Sequence, residues 1–88
     1  MACRIDRVLT DNGFVVLQIS GRIARDDVDI LRAAIDQERG AFAIDLKEVG
    51  VVDRCVVPLL ARTEAKGVEL RNCPPYIREW IEREQQQS

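Results

Sequence analysis

One stretch limits the folds open to this chain more than any other: Ala41–Leu70, AFAIDLKEVGVVDRCVVPLLARTEAKGVEL. It reads as strand, short loop, helix, turn and strand, the unit that builds a parallel sheet. Ala41–Leu46 is an apolar run of strand length, broken by one acid. Val49-Gly50 reads as a turn. Asp53 is placed to cap a helix running to Lys66, and Gly67 to end it. Val68–Leu70 then resumes extended structure. The loop at Val51–Cys55 therefore lies between the carboxyl end of a strand and the start of a helix. Open α/β sheets tend to place their binding sites there.

The rest of the chain completes a sheet around this unit. Cys3–Leu9 alternates weakly and carries charge on both faces, which suits an edge strand. Asp11-Asn12-Gly13 is a hairpin signal, because Asn and Gly tolerate positive φ. Phe14–Ile19 is a richer strand that Ser20-Gly21 is expected to end. Arg25–Glu38 has helical periodicity, with Val28, Leu31 and Ile35 on one stripe and Asp26, Asp27 and Asp29 in the first turns. Those acids compensate the helix dipole, which explains them more simply than a cation site would.

In Ala41–Leu46 one face is bulky (Phe42, Ile44, Leu46) and the other thin, so helices are expected on the bulky face. The second helix presents Val56, Leu59, Leu60 and Thr63 inward, and Val52 with Val57 can staple its start. Pro58 conflicts with a helix that begins directly after Asp53. Either that helix starts nearer Cys55 or its first turn is irregular. Pro75 fits the first position of a third helix, with Ile77, Trp80 and Ile81 facing inward. The order is ββαβαβα: an α/β class, single small domain with a four-stranded mixed sheet, helices mainly on one face and right-handed crossovers. The domain is expected to span residues 1–84, with 85–88 a disordered tail.

Composition excludes several classes of function. Eighty-eight residues hold one core, and burial of about 60–65% of the unfolded surface leaves modest stability. Net charge is −2, from 15 acids against 13 bases, and the charges are interspersed, so no nucleic-acid partner is expected. No His is present, which removes the commonest general base and metal ligand. Cys3, Cys55 and Cys73 are unclustered, as expected of reduced thiols in a cytoplasmic protein. No apolar run approaches the ~20 residues needed to cross a bilayer, so no membrane insertion is expected. No cofactor is expected.

The order and local motifs resemble the STAS domain, the module of bacterial anti-sigma factor antagonists and sulfate transporter tails. AIDLKEVGVVDRCVVPLLARTEAKGVELRNCPPYIREWI, about half the chain, carries the similarity, and Ile19-Ser20-Gly21-Arg22-Ile23 resembles the family's second-strand exit. The resemblance implies a regulatory, non-enzymatic protein-interaction module. In phosphoregulated members the loop resembles Asp-Ser-Ser-Gly, and a kinase that doubles as the anti-sigma factor phosphorylates the second Ser. Here the stretch is Asp53-Arg54-Cys55-Val56. Cys55 stands at the acceptor position and cannot serve a Ser/Thr kinase, Arg54 adds a fixed charge, and Val56 and Pro58 replace small residues.

The partner-binding loop is accordingly expected at Val51, Asp53, Arg54, Cys55, Val56 and Pro58. The resemblance implies a protein partner: an anti-sigma factor or kinase, or a transporter or ATPase subunit such as that of a lipid-transport complex. Three rivals stand beside this reading. Another phosphosite, at Thr63 or Ser20, would preserve a stressosome-like switch. Cys55 beside Arg54 at a helix start could be a redox sensor, though a small Cys filling the space of a Ser is the simpler account. Tyr76 and Trp80 could form a ligand shelf, though aromatics beside Ile77 and Ile81 are expected in the core. The exposed edge strand and thin sheet face would also allow a homodimer.

Overall fold

A computed structural model describes residues 3–86. Four strands form one sheet in the order β1-β2-β3-β4: β1 (Cys3–Leu9), β2 (Val15–Ile23), β3 (Phe42–Val52) and β4 (Glu69–Arg71). β1 and β2 are antiparallel, and β2, β3 and β4 run parallel. Three helices connect and close it: α1 (Val28–Asp36), α2 (Val57–Ala65) and α3 (Pro75–Gln86). The expected ββαβαβα mixed sheet is therefore present. α3 includes Gln85 and Gln86, which the sequence reading gave to a tail; residues 87–88 lie outside the described ones.

One core forms on one face of the sheet. Leu17, Ile19 and Ile23 from β2 and Ile44, Leu46 and Val52 from β3 meet Leu31 of α1, Leu60 of α2, and Ile77 and Ile81 of α3. Each is at most 3% exposed, so each contributes roughly 1.5–3 kcal/mol of burial. The opposite face carries no helix from this cluster. There Val16 pairs with Ala43, and the Arg71 guanidinium lies over the Phe14 ring at 5.3 Å. The thin face of β3 is thus covered by side chains alone.

Two expectations fail in the same place. Val49-Gly50 is not a turn, and Ser20-Gly21 does not end β2: both strands continue to Val52 and Ile23. The register explains how. Gln18 is opposite Asp45 but Ser20 opposite Glu48, and Gly21 is opposite Val49 but Arg22 opposite Val51. At each shift β3 uses one more residue than β2, as in a bulge. Burial on β3 consequently falls at Leu46, Val49 and Val52, a spacing of three that breaks the strand alternation. Gly21 takes φ +88° beside the second shift, where a side chain would be strained.

The Pro58 conflict resolves through an irregular first turn. Arg54–Val56 form a 3-10 turn, and α2 begins at Val57, so Pro58 sits where a helix has no acceptor for its N–H. An equivalent 3-10 turn, Arg25–Asp27, precedes α1. Gly67, at φ +101°, ends α2 as expected.

Candidate functional site

Sheet direction brings two helix entries together at one end. β2 leaves through Ile23-Ala24 and β3 through Val52-Asp53, and the Asp53 N–H donates to the Ile23 carbonyl at 2.8 Å. Each entry is closed by an aspartate. The Ala24 N–H donates to the Asp27 carboxylate at 2.8 Å, and the Cys55 N–H donates to Asp53 Oδ1 at 3.2 Å. Asp27 therefore caps the turn before α1 through a backbone hydrogen bond, a role beyond the dipole compensation expected of the acidic first turn. The Asp53 carboxyl is held below its ordinary value, chiefly by the Cys55 N–H, with Arg25 and Arg22 adding positive charge nearby.

The expected loop residues divide into two sets. Val56 is buried in the core and Cys55 is half-buried against it. Val51, Asp53, Arg54 and Pro58 are exposed, Val51 at 54%. The loop thus shows solvent an aliphatic tip, a carboxylate engaged by its own backbone, and a guanidinium. Cys55 has the placement expected of a small residue filling a gap. Burial pushes the thiols of Cys3 and Cys73 upward, away from thiolate character at neutral pH.

α3 supplies a part of the surface that the loop sequence alone did not reveal. The Arg54 guanidinium lies over the Trp80 ring, 5.4 Å from its centroid. Trp80 meets Tyr76 edge to face, with centroids 5.5 Å apart and planes at 87°. The Tyr76 hydroxyl donates to the Gly50 carbonyl at 3.0 Å. A continuous run of contacts, Gly50 to Tyr76 to Trp80 to Arg54, therefore braces the loop at both ends. Ile77 and Ile81 fill the core as expected, but Tyr76 is 38% exposed and Trp80 only half-buried. Trp80 packs against the core while also walling the loop, and Tyr76 stands outside the core at its edge. Spacing of i and i+4 on α3 was the available signal; that Arg54 would meet it was not.

Arg54, Val57, Trp80, Arg83 and Glu84 line a shallow cleft beside the loop. On the other flank Arg22 is opposite Val51 in the β2–β3 register, and Arg25 and Arg22 add positive charge near Asp53. Among the described residues no cluster of His, Cys, Asp and Glu could hold a metal ion, and no helix is long and apolar enough to cross a membrane.

No family model and no curated protein matches this chain. Among solved structures it is similar to an antisigma-factor antagonist STAS domain from Rhodobacter sphaeroides. The two share 18% sequence identity, over 80% of this chain and 84% of that one, with a TM-score of 0.60. The chain therefore has the STAS fold.

Proposed function

We propose that this chain is a non-enzymatic STAS-like regulatory module that docks a protein partner on the surface formed by Val51–Pro58, Tyr76 and Trp80. The observation that carries this reading is the bracing of an exposed loop: Arg54 is held on Trp80, and Tyr76 holds Gly50, while Val51 stays exposed. A preorganised apolar tip flanked by the Arg22 and Arg54 guanidinium groups suits a partner that offers acidic side chains around an aliphatic contact. The STAS domain it resembles in fold is an antisigma-factor antagonist, and the partner proposed for this surface is of the anti-sigma factor or ATPase-subunit type.

Docking here does not depend on phosphorylation of the loop. Cys55 offers no hydroxyl, and the two hydroxyls considered as substitutes are poorly placed for a kinase. Thr63 is 4% exposed and its hydroxyl donates to the Leu59 carbonyl at 2.7 Å. Ser20 is half-buried within β2.

The test compares wild type with Arg54→Glu and Val51→Asp as baits in host lysate, followed by mass spectrometry of bound proteins. Both substitutions are expected to remove the same partner at least tenfold while leaving the far-ultraviolet spectrum unchanged. Recovery of every partner at wild-type level by both variants rules out this surface. Incubating wild type with its cognate kinase and ATP is expected to leave the intact mass unchanged.

A further inference from the structure

β1 is an edge strand whose hydrogen-bonding phase can be assigned. It pairs with β2 without interruption, from Cys3 opposite Gly21 to Leu9 opposite Val15. The Thr10 N–H donates to the Phe14 carbonyl at 2.8 Å where the hairpin closes. Bonded pairs alternate along an antiparallel ladder, so Val8, Asp6 and Arg4 also bond β2. The N–H and C=O groups of Cys3, Ile5, Arg7 and Leu9 then point outward, and among the described residues no strand pairs with them.

We propose that the occupant of this edge is a second copy of the chain, bound through antiparallel β1–β1 pairing about a two-fold axis at Ile5. The charges of β1 select that register. Keeping both sets of helices on one side requires odd residues opposite odd and even opposite even. Three such symmetric registers pair at least five strand residues. Centring on Asp6 opposes two carboxylates, and centring on Arg7 opposes two guanidinium groups; like charges directly opposite destabilise a sheet. Centring on Ile5 instead sets Arg4 opposite the partner's Asp6, twice by symmetry.

The details of β1 agree with this register. Ile5 would form a doubly bonded pair with its symmetry mate through its outward N–H and C=O. Arg4 and Asp6 would fall at the non-bonded positions, where opposing side chains approach most closely. Within one chain Arg4 Nε already lies 3.1 Å from Asp6 Oδ2, with Arg4 exposed and Asp6 half-buried. Two copies would join these pairs into a ring of four alternating charges. On the helix side, Ile5 and Cys3 border an apolar groove with Gly21, Asp27 and Ile30 of α1, and Ile30 is 60% exposed. The partner's Ile5 would close that groove from its open side. This surface lies on the opposite edge of the sheet from β4 and does not involve the Val51–Pro58 loop.

Sedimentation equilibrium of the full chain over a concentration series tests the inference. Wild type is expected to be a dimer. Asp6→Arg, which places Arg opposite Arg4, and Arg4→Asp, which places Asp opposite Asp6, are each expected to raise the dissociation constant at least ~10-fold. The double variant R4D/D6R restores opposite charges and is expected to dimerise like wild type, which separates loss of pairing from loss of folding. A wild type that stays monomeric throughout overturns the proposal. So does a dimer that Asp6→Arg leaves intact, or one that the double variant fails to recover.

Discussion

Arg54 and Trp80, 26 residues apart, stand with the guanidinium over the indole, 5.4 Å from the ring centroid. The contact joins the 3-10 turn before α2 to the outer face of α3 and fixes the one positive side chain in the exposed loop. Cation–π contacts at such sites are worth roughly 0.5–1 kcal/mol, enough to bias a side chain but not to hold a fold.

That asymmetry predicts unequal effects for the two partners. Trp80→Ala removes the ring from Arg54 and Tyr76 together and opens space above Ile77 and Ile81, so it is expected to cost about 2–3 kcal/mol. Arg54→Ala should cost less than about 1 kcal/mol. Urea denaturation followed by circular dichroism reads both.

The cap at Asp53 predicts a ranking. Asp53→Asn keeps an oxygen for the Cys55 N–H, whereas Asp53→Ala leaves that donor without its acceptor. The Ala variant is expected to melt below the Asn variant, and both below wild type, in differential scanning calorimetry. Equal melting of the Ala variant and wild type would show that the cap is not needed.

Acid sensitivity should centre on Glu64. Its carboxyl is held below its ordinary value, first by the hydrogen bond from Arg78, and the pair closes α2 against α3 at 2.7 Å. A depressed carboxyl contributes stability above its unfolded value, about 4.3, and loses it as pH falls through the folded value. Asp53 has the same sign. Wild-type stability is therefore expected to fall below about pH 4.3, and Glu64→Gln to flatten that decline while lowering stability at pH 7. Urea midpoints across pH 3–7 check both.

Pro58 gives a positional contrast. At the start of α2 it needs no N–H acceptor, so Pro58→Ala should change stability by no more than about 1 kcal/mol. Leu60→Pro, two residues further in, breaks a helical bond and empties a fully buried site. It is expected to cost more than about 3 kcal/mol, and the variant should unfold in thermal melts at far lower temperature.

Local signals made much of this readable. Asp53 as a cap, Gly67 as a stop, Pro75 at the start of α3 and the Ile77/Ile81 stripe each depend on neighbours within a helical turn. The bulges of β3 do not. Whether Leu46, Val49 and Val52 share a face depends on how β2 runs alongside, and no period in LKEVGVV announces it. Ser20-Gly21 misled for the same reason, since the partner strand carries the chain past two residues that favour turns. In the site, the loop's place at the end of a parallel strand was legible. Its wall of Tyr76 and Trp80 was not, because that contact depends on how α3 returns across the sheet.

The two outer strands of this sheet are unequal, and the inequality bears on aggregation. β1 offers seven residues along its free side, while β4 has three. Beyond β4, the stretch of β3 after Asp45 has no strand partner on that side among the described residues, and Tyr76 reaches across to the Gly50 carbonyl. The continuous free strand is thus on the β1 side, while the other side is broken between a three-residue β4 and a stretch of β3 crossed by Tyr76. Backbone pairing through β1 therefore leaves a two-copy assembly bordered on both sides by interrupted edges, which present no single long strand to a third molecule.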